Sequence, residues 1–68
     1  MTGTIPYWVE GEVKYVHLNE ALVKVPNGGV YQLTTDTPGI VFSELRIGDK
    51  VACEVTHRIL YVYSARII

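Results

Sequence analysis

Three side chains, Cys53, His17 and His57, are of the types that bind transition metals or serve as nucleophile and base. A metal site requires such ligands to converge on one point. If the first and fourth strands pair antiparallel, His17 falls near the start of the fourth strand and His57 at its other end. The three therefore stay apart, and no metal site is expected. Cys53 sits on the inward parity of "KVACEVT", where burial raises a thiol's pKa and suppresses the reactive thiolate. It is expected to be an inert core residue.

Carboxylates offer the other route to chemistry. Glu10 and Glu12 lie on one strand face, roughly 7 Å apart, but Lys14 continues the same row, the pattern of a solvated face. A chain this short also forms little concave volume for a substrate. No catalytic residue and no cofactor are expected. The remaining functional side chains suit binding: Trp8, Tyr61 and Tyr63 for stacking on bases, and Lys14, Lys24, Arg58 and Arg66 for phosphates.

The elements that would position them are strands. "YWVEGEVKYVH" alternates, with Tyr7, Val9, Gly11, Val13 and Tyr15 on one side and Trp8, Glu10, Glu12 and Lys14 on the other, the mark of a half-buried strand. Gly11 in its middle predicts a bulge or strong bend. "ALVKV" follows with Ala21, Val23 and Val25 inward and Lys24 outward. "PNGG" predicts a tight hairpin with Asn27-Gly28 at positive φ, and "VYQLT" returns with Tyr31 and Leu33 on one face and Gln32 on the other.

From Thr34 to Leu45 the alternation lapses. Pro38-Gly39 breaks any regular element, and Ser43-Glu44-Leu45 predicts a single helical turn. Gly48-Asp49 marks a second tight turn. "KVACEVT" is the fourth strand, with Val51, Cys53 and Val55 inward and Ala52, Glu54 and Thr56 outward. Five short strands without a long helix predict an all-β, closed or partly open barrel, because closure removes exposed edges.

Length and charge bound the rest. Sixty-eight residues make one domain, 1–68. The single cysteine excludes an intramolecular disulfide, so nothing points to an oxidising compartment. Six basic against seven acidic residues leave a net charge of −1, which gives no long-range pull toward nucleic acid or membrane. No apolar run approaches a membrane span and no N-terminal signal pattern is evident, so a cytoplasmic location is expected.

The succession "EGEV", "ALVKVPNGGVYQL", "LRIGDKVACEV" and a closing "RI" resembles the five-stranded OB-fold barrel, of the kind found in bacterial translation initiation factor one and similar RNA-binding barrels. The likeness runs from about Trp8 to Ile67. It implies an OB-like barrel that grips RNA or single-stranded DNA. The chain departs from the initiation-factor pattern at Thr34–Leu45, which carries Asp36 and Glu44 and no basic residue. It departs from copper-carrying barrels in having Met1 as its only methionine.

The closing "RILYVYSARII" does not alternate. With Leu60 and Val62 inward, Ile59, Tyr61, Tyr63 and Ala65 face out; with the opposite phase, Leu60 and Val62 are exposed. Either way an apolar strip faces outward, aromatic-rich and poor in charge, like the core of a protein interface. It is expected to be covered by a second copy of the chain. The alternative is a bulge near Ser64 that reverses the phase, with the loop of Ile40, Val41 and Phe42 lying over the strip. The function expected is a small non-catalytic binding module associated with RNA or single-stranded nucleic acid. The alternative is a protein-interaction or homo-oligomeric scaffold using Ile59, Tyr61 and Tyr63.

Overall fold

The computed structural model describes residues 5–56 and 61–68. Five strands form one antiparallel sheet: β1 (Tyr7–Val16), β2 (Glu20–Lys24), β3 (Val30–Thr34), β4 (Lys50–Val55) and β5 (Ser64–Ile67). Their order is β3-β2-β1-β4-β5, and the sheet curls strongly into an open half-barrel. The antiparallel pairing of β1 with β4 is as expected, running from Tyr7 opposite Val55 to Glu12 opposite Lys50. Closure into a full barrel is not seen: no strand pairing joins β3 to β5 among the described residues.

The curl is made possible at Gly11. A Cβ there would stand 2.6 Å from Val23 Cγ1 and 2.8 Å from the Lys24 carbonyl oxygen, so only glycine lets β2 fold this closely over β1. The bulge itself lies further along. The β1–β2 register runs Val13 opposite Val23 and then Tyr15 opposite Leu22, so Lys14 is the extra residue. One inserted residue reverses the alternation beyond it. Tyr15, expected inward, is therefore exposed, and Val16 packs against the core instead.

The concave face buries Val13, Val23, Leu33, Val51, Cys53 and Val55 completely. Ala21, Val25 and Tyr31 join them as the alternation of β2 and β3 predicts. Two residues of the fourth strand depart from expectation: Ala52 and Thr56 are buried despite their outward parity. Ala52 is small and stands in a cross-strand row between the longer Glu10 on β1 and Arg66 on β5.

The turns follow from local chemistry. At "PNGG", Val25 N–H donates to Gly29 O and Gly28 N–H to Val25 O, both at 3.0 Å. Only Gly28 takes a positive φ, +94°; Asn27 does not. Pro26 and Asn27 thus form a type I turn that a left-handed glycine completes, with Asn27 Oδ1 accepting from Gly29 N–H at 2.8 Å. Before β4, Gly48 at φ +96° carries the turn whose ends are joined by Asp49 N–H to Arg46 O. The helical turn appears as a single 3-10 turn at Phe42–Glu44, one residue earlier than the sequence predicts.

The loop after β3 reaches the far side of the half-barrel. Ala65 N–H donates to the Pro38 carbonyl at 3.0 Å, so the chain at Pro38-Gly39 lies along the outer edge of β5. The phase of the closing stretch does reverse near Ser64: Val62 and Ala65, three residues apart, are both buried. Tyr61 and Tyr63 nevertheless stay exposed, at 54% and 40%.

Candidate ligand-binding surface

Trp8 projects from the outer face of β1, opposite Glu54, and is about half exposed. The Arg66 guanidinium packs over its ring, 4.8 Å from the centroid. Two residues expected on separate strands for separate tasks are thus joined as a cation–π pair. Beneath them Ser64 Oγ donates to Glu54 Oε1 at 3.1 Å.

Tyr61 and Tyr63 lie on the approach to β5. Their rings meet edge to face, with centroids 4.9 Å apart and planes at 78°, the arrangement ring quadrupoles favour. A second aromatic group lies on the β1–β2 connection. Tyr15 stacks on His17, centroids 5.9 Å apart and nearly parallel, beside Leu18, which is 89% exposed. The sequence did not single out Tyr15 for binding, because strict alternation places it inside.

The lysines gather around one open groove across β1 and the β2 end. Lys14, Lys24 and Lys50 line it together with Glu10 and Glu12. Glu12 holds two of them, Lys50 Nζ at 3.0 Å and Lys14 Nζ at 3.3 Å. These contacts, Lys50 first, keep its carboxyl below the usual carboxylate range. Lys24 is exposed and has no ion pair among the described residues. Lys50 is an addition to the expected set, and its signal was the β1–β4 register, which sets it opposite Glu12. Arg58 and Ile59, assigned to binding and interface roles from the sequence, lie outside the described residues, as does His57.

Cys53 points inward and is fully buried. Burial pushes its thiol up to about 11, far from a reactive thiolate. Tyr31 is raised as well, first by burial and then by the neighbouring Tyr7, with which it shares a hydrogen bond. Among the described residues no group of three His, Cys, Asp or Glu side chains is placed to hold a metal ion. No helix among them is long and apolar enough to cross a membrane.

Among the described residues the surface therefore offers three exposed aromatic groups, Trp8 with Arg66, Tyr15 with His17, and Tyr61 with Tyr63, and a groove where lysines and glutamates balance. Compared with protein-family models, with curated proteins and with solved structures, the chain matches none.

Proposed function

We propose that this chain is a non-catalytic binding module built as an OB-like barrel, and that it takes single-stranded nucleic acid, RNA or DNA. A partly open, five-stranded arrangement with β1 shared between β2 and β4 supports the OB-like reading. The observation that carries the ligand is where the exposed rings stand. Tyr15 and His17 flank the β1–β2 connection, and Tyr61 and Tyr63 lie on the β4–β5 connection. Barrels of this kind engage oligonucleotides with those two loops. Bases of any identity stack on such rings.

Charge sets the strength. Glu12 occupies Lys14 and Lys50, leaving Lys24 and Arg66, of the expected phosphate contacts, outside any ion pair among the described residues. Few phosphates are neutralised, so binding is weak and its salt dependence shallow, with a log–log slope of about −0.7 per phosphate contacted. Fluorescence anisotropy with labelled oligo(U) and oligo(dT) tests this. Binding at low salt that declines as salt rises is the expected result, and Tyr61→Ala weakens it by about 1–3 kcal/mol through lost stacking. Absence of binding at low salt removes the reading.

A second reading, protein association, is favoured by one specific feature. Tyr61, Tyr63, Ile67 and Ile68 are all exposed in the last eight residues, where Arg66 is the only charged side chain. Aromatic-rich, charge-poor surface is typical of interface cores. Nucleic acid would leave Ile67 and Ile68 without a role, so substituting them separates the two readings.

A further inference from the structure

The half-barrel has two outer strands, β3 and β5, and their free edges differ. At β5 the edge is taken at Ala65 by the chain's own loop. Ala65 N–H donates to Pro38 O, and Gly39 stands so close that a Cβ on it would meet Ala65 O at 2.6 Å.

At β3 the phase of the ladder decides which groups point outward. Val25 N–H bonds to Gly29 O at 3.0 Å. Antiparallel pairs alternate between bonded and non-bonded, so Tyr31 and Leu33 bond to β2 while Val30, Gln32 and Thr34 turn their N–H and C=O groups away. Thr34 is capped in both senses by Thr37: its N–H donates to Thr37 Oγ1 at 2.9 Å, and Thr37 N–H donates to its carbonyl at 3.1 Å. Val30 and Gln32 have no backbone partner among the described residues. Nor does "VYQLT" carry the charge, proline or bulge that commonly blunts an open edge.

We infer that this edge pairs with β3 of a second copy, antiparallel about a two-fold axis at Tyr31, so that Val30 of each copy lies opposite Gln32 of the other. Three features select this occupant and register. The β5 edge is occupied at Ala65, and only Ile67 beyond it faces outward, so β5 offers no run of free groups to match Val30 and Gln32, whereas two copies of β3 match each other in a closed dimer. An axis at Gln32 would set Val30 opposite Thr34, whose groups are already bonded, whereas an axis at Tyr31 uses only free groups. The third feature is charge. Lys24 lies beside Val30 and lacks an ion pair among the described residues. In this register it lies in one cross-sheet row with the second copy's Gln32, reaching over Val30, and that Gln32 donates to its own copy's Glu20 at 2.6 Å. Each Lys24 is thereby directed toward the other copy's Glu20.

Sedimentation equilibrium on the full chain tests the pairing, with backbone-amide exchange as the second measurement. The expected mass rises with concentration from 7.6 kDa toward twice that value. Val30→Pro removes an outward donor and leaves the β2–β3 ladder intact. It weakens association by at least about tenfold, the equivalent of one or two lost hydrogen bonds. Lys24→Glu also weakens association, and combining it with Glu20→Lys restores it. In the unsubstituted chain, protection of the Val30 and Gln32 amides grows with concentration, a readout that does not depend on how Val30→Pro folds. A monomer at millimolar concentration overturns the inference, whether the edge is then covered from within the chain or open. A dimer in which those two amides exchange freely overturns it equally, because the interface is then elsewhere.

Discussion

The Arg66 guanidinium lies 4.8 Å from the centre of the Trp8 ring, although β4 runs between the strands that carry them. Trp8 is opposite Glu54 and Arg66 opposite Ala52, so the contact crosses β4 diagonally on its outer face. An exposed cation–π pair is worth about 0.5–1 kcal/mol. Arg66→Ala should lower stability by that amount in urea denaturation. Trp8 is the only tryptophan, so its emission should change in the same variant. Unchanged emission would show that the pair does not persist in solution.

Cys53 makes the fold sensitive to alkali. Below pH ~8.5 the thiol is protonated in both folded and unfolded chains. Above that, the unfolded thiol ionises while the folded one holds its proton to about 11. Its folded pKa is raised, so its contribution is complete below the unfolded pKa and is lost as pH climbs toward the folded value. Tyr31, raised by burial and by Tyr7, adds a loss of the same sign at higher pH. Denaturant midpoints should fall between pH 8.5 and 11, less steeply in Cys53→Ala, which itself costs about 1 kcal/mol at neutral pH. Thiol reagents should react slowly with the native protein and rapidly once it is unfolded.

The strands were legible because their alternation is local, and local alternation reports one buried face. What the local pattern left open were the points where the phase slips. Lys14 looks like an ordinary outward residue, and only its pairing with β2 reveals the bulge that exposes Tyr15 and buries Val16. Val62 and Ala65 share the core through the reversal near Ser64 that the sequence offered only as the alternative. The candidate surface was less legible for the same reason. Trp8, Lys14, Lys24, Tyr61 and Tyr63 are recognisable by type, whereas the meeting of Trp8 with Arg66, or of Lys50 with Glu12, depends on register between distant strands.

Two glycines that look alike in the sequence should respond differently to alanine. At Gly11 the new Cβ would press on Val23 and on the Lys24 backbone at 2.6 and 2.8 Å, an overpacking cost of about 1–3 kcal/mol. At Gly48 nothing lies within 4 Å, and the cost is confined to φ +96°, about 1 kcal/mol. Gly11→Ala should also loosen the β1–β2 curl, seen as faster exchange of β2 amides, while Gly48→Ala leaves them unchanged. Equal effects on β2 would refute the close approach at Gly11.

Tyr61 tests ligand against partner. Its ring is 54% exposed, so Tyr61→Glu should fold with a melting temperature close to that of the original chain. If the β3 edge forms the dimer, the mass in sedimentation stays unchanged. If Tyr61 stacks on nucleic acid, oligonucleotide binding falls through lost stacking and added repulsion. A variant that becomes monomeric would place the self-association interface on the closing segment instead.

Gly39 holds the loop after β3 against β5, and its substitution tests how far that loop completes the half-barrel. Two costs coincide there. The backbone sits at φ +87°, and a Cβ would stand 2.6 Å from the Ala65 carbonyl oxygen, a backbone atom that has no rotamer by which to move aside. Gly39→Ala should therefore cost more than Gly48→Ala, about 2–3 kcal/mol in all. It should act by lifting Pro38 from β5. The Ala65 amide, which donates to Pro38, is the direct reporter, and its exchange should accelerate while Cys53, on the neighbouring strand, keeps its slow thiol reaction. Freed of the loop, β5 would present a second open edge. Head-to-tail pairing between β3 and β5 of different copies then becomes available, and assembly need not stop at two chains. If the β3 edge forms the dimer, Gly39→Ala should thus form larger species at concentrations where the original chain stops at two copies. An Ala65 amide that exchanges no faster in the variant would show that the loop is not what closes that edge.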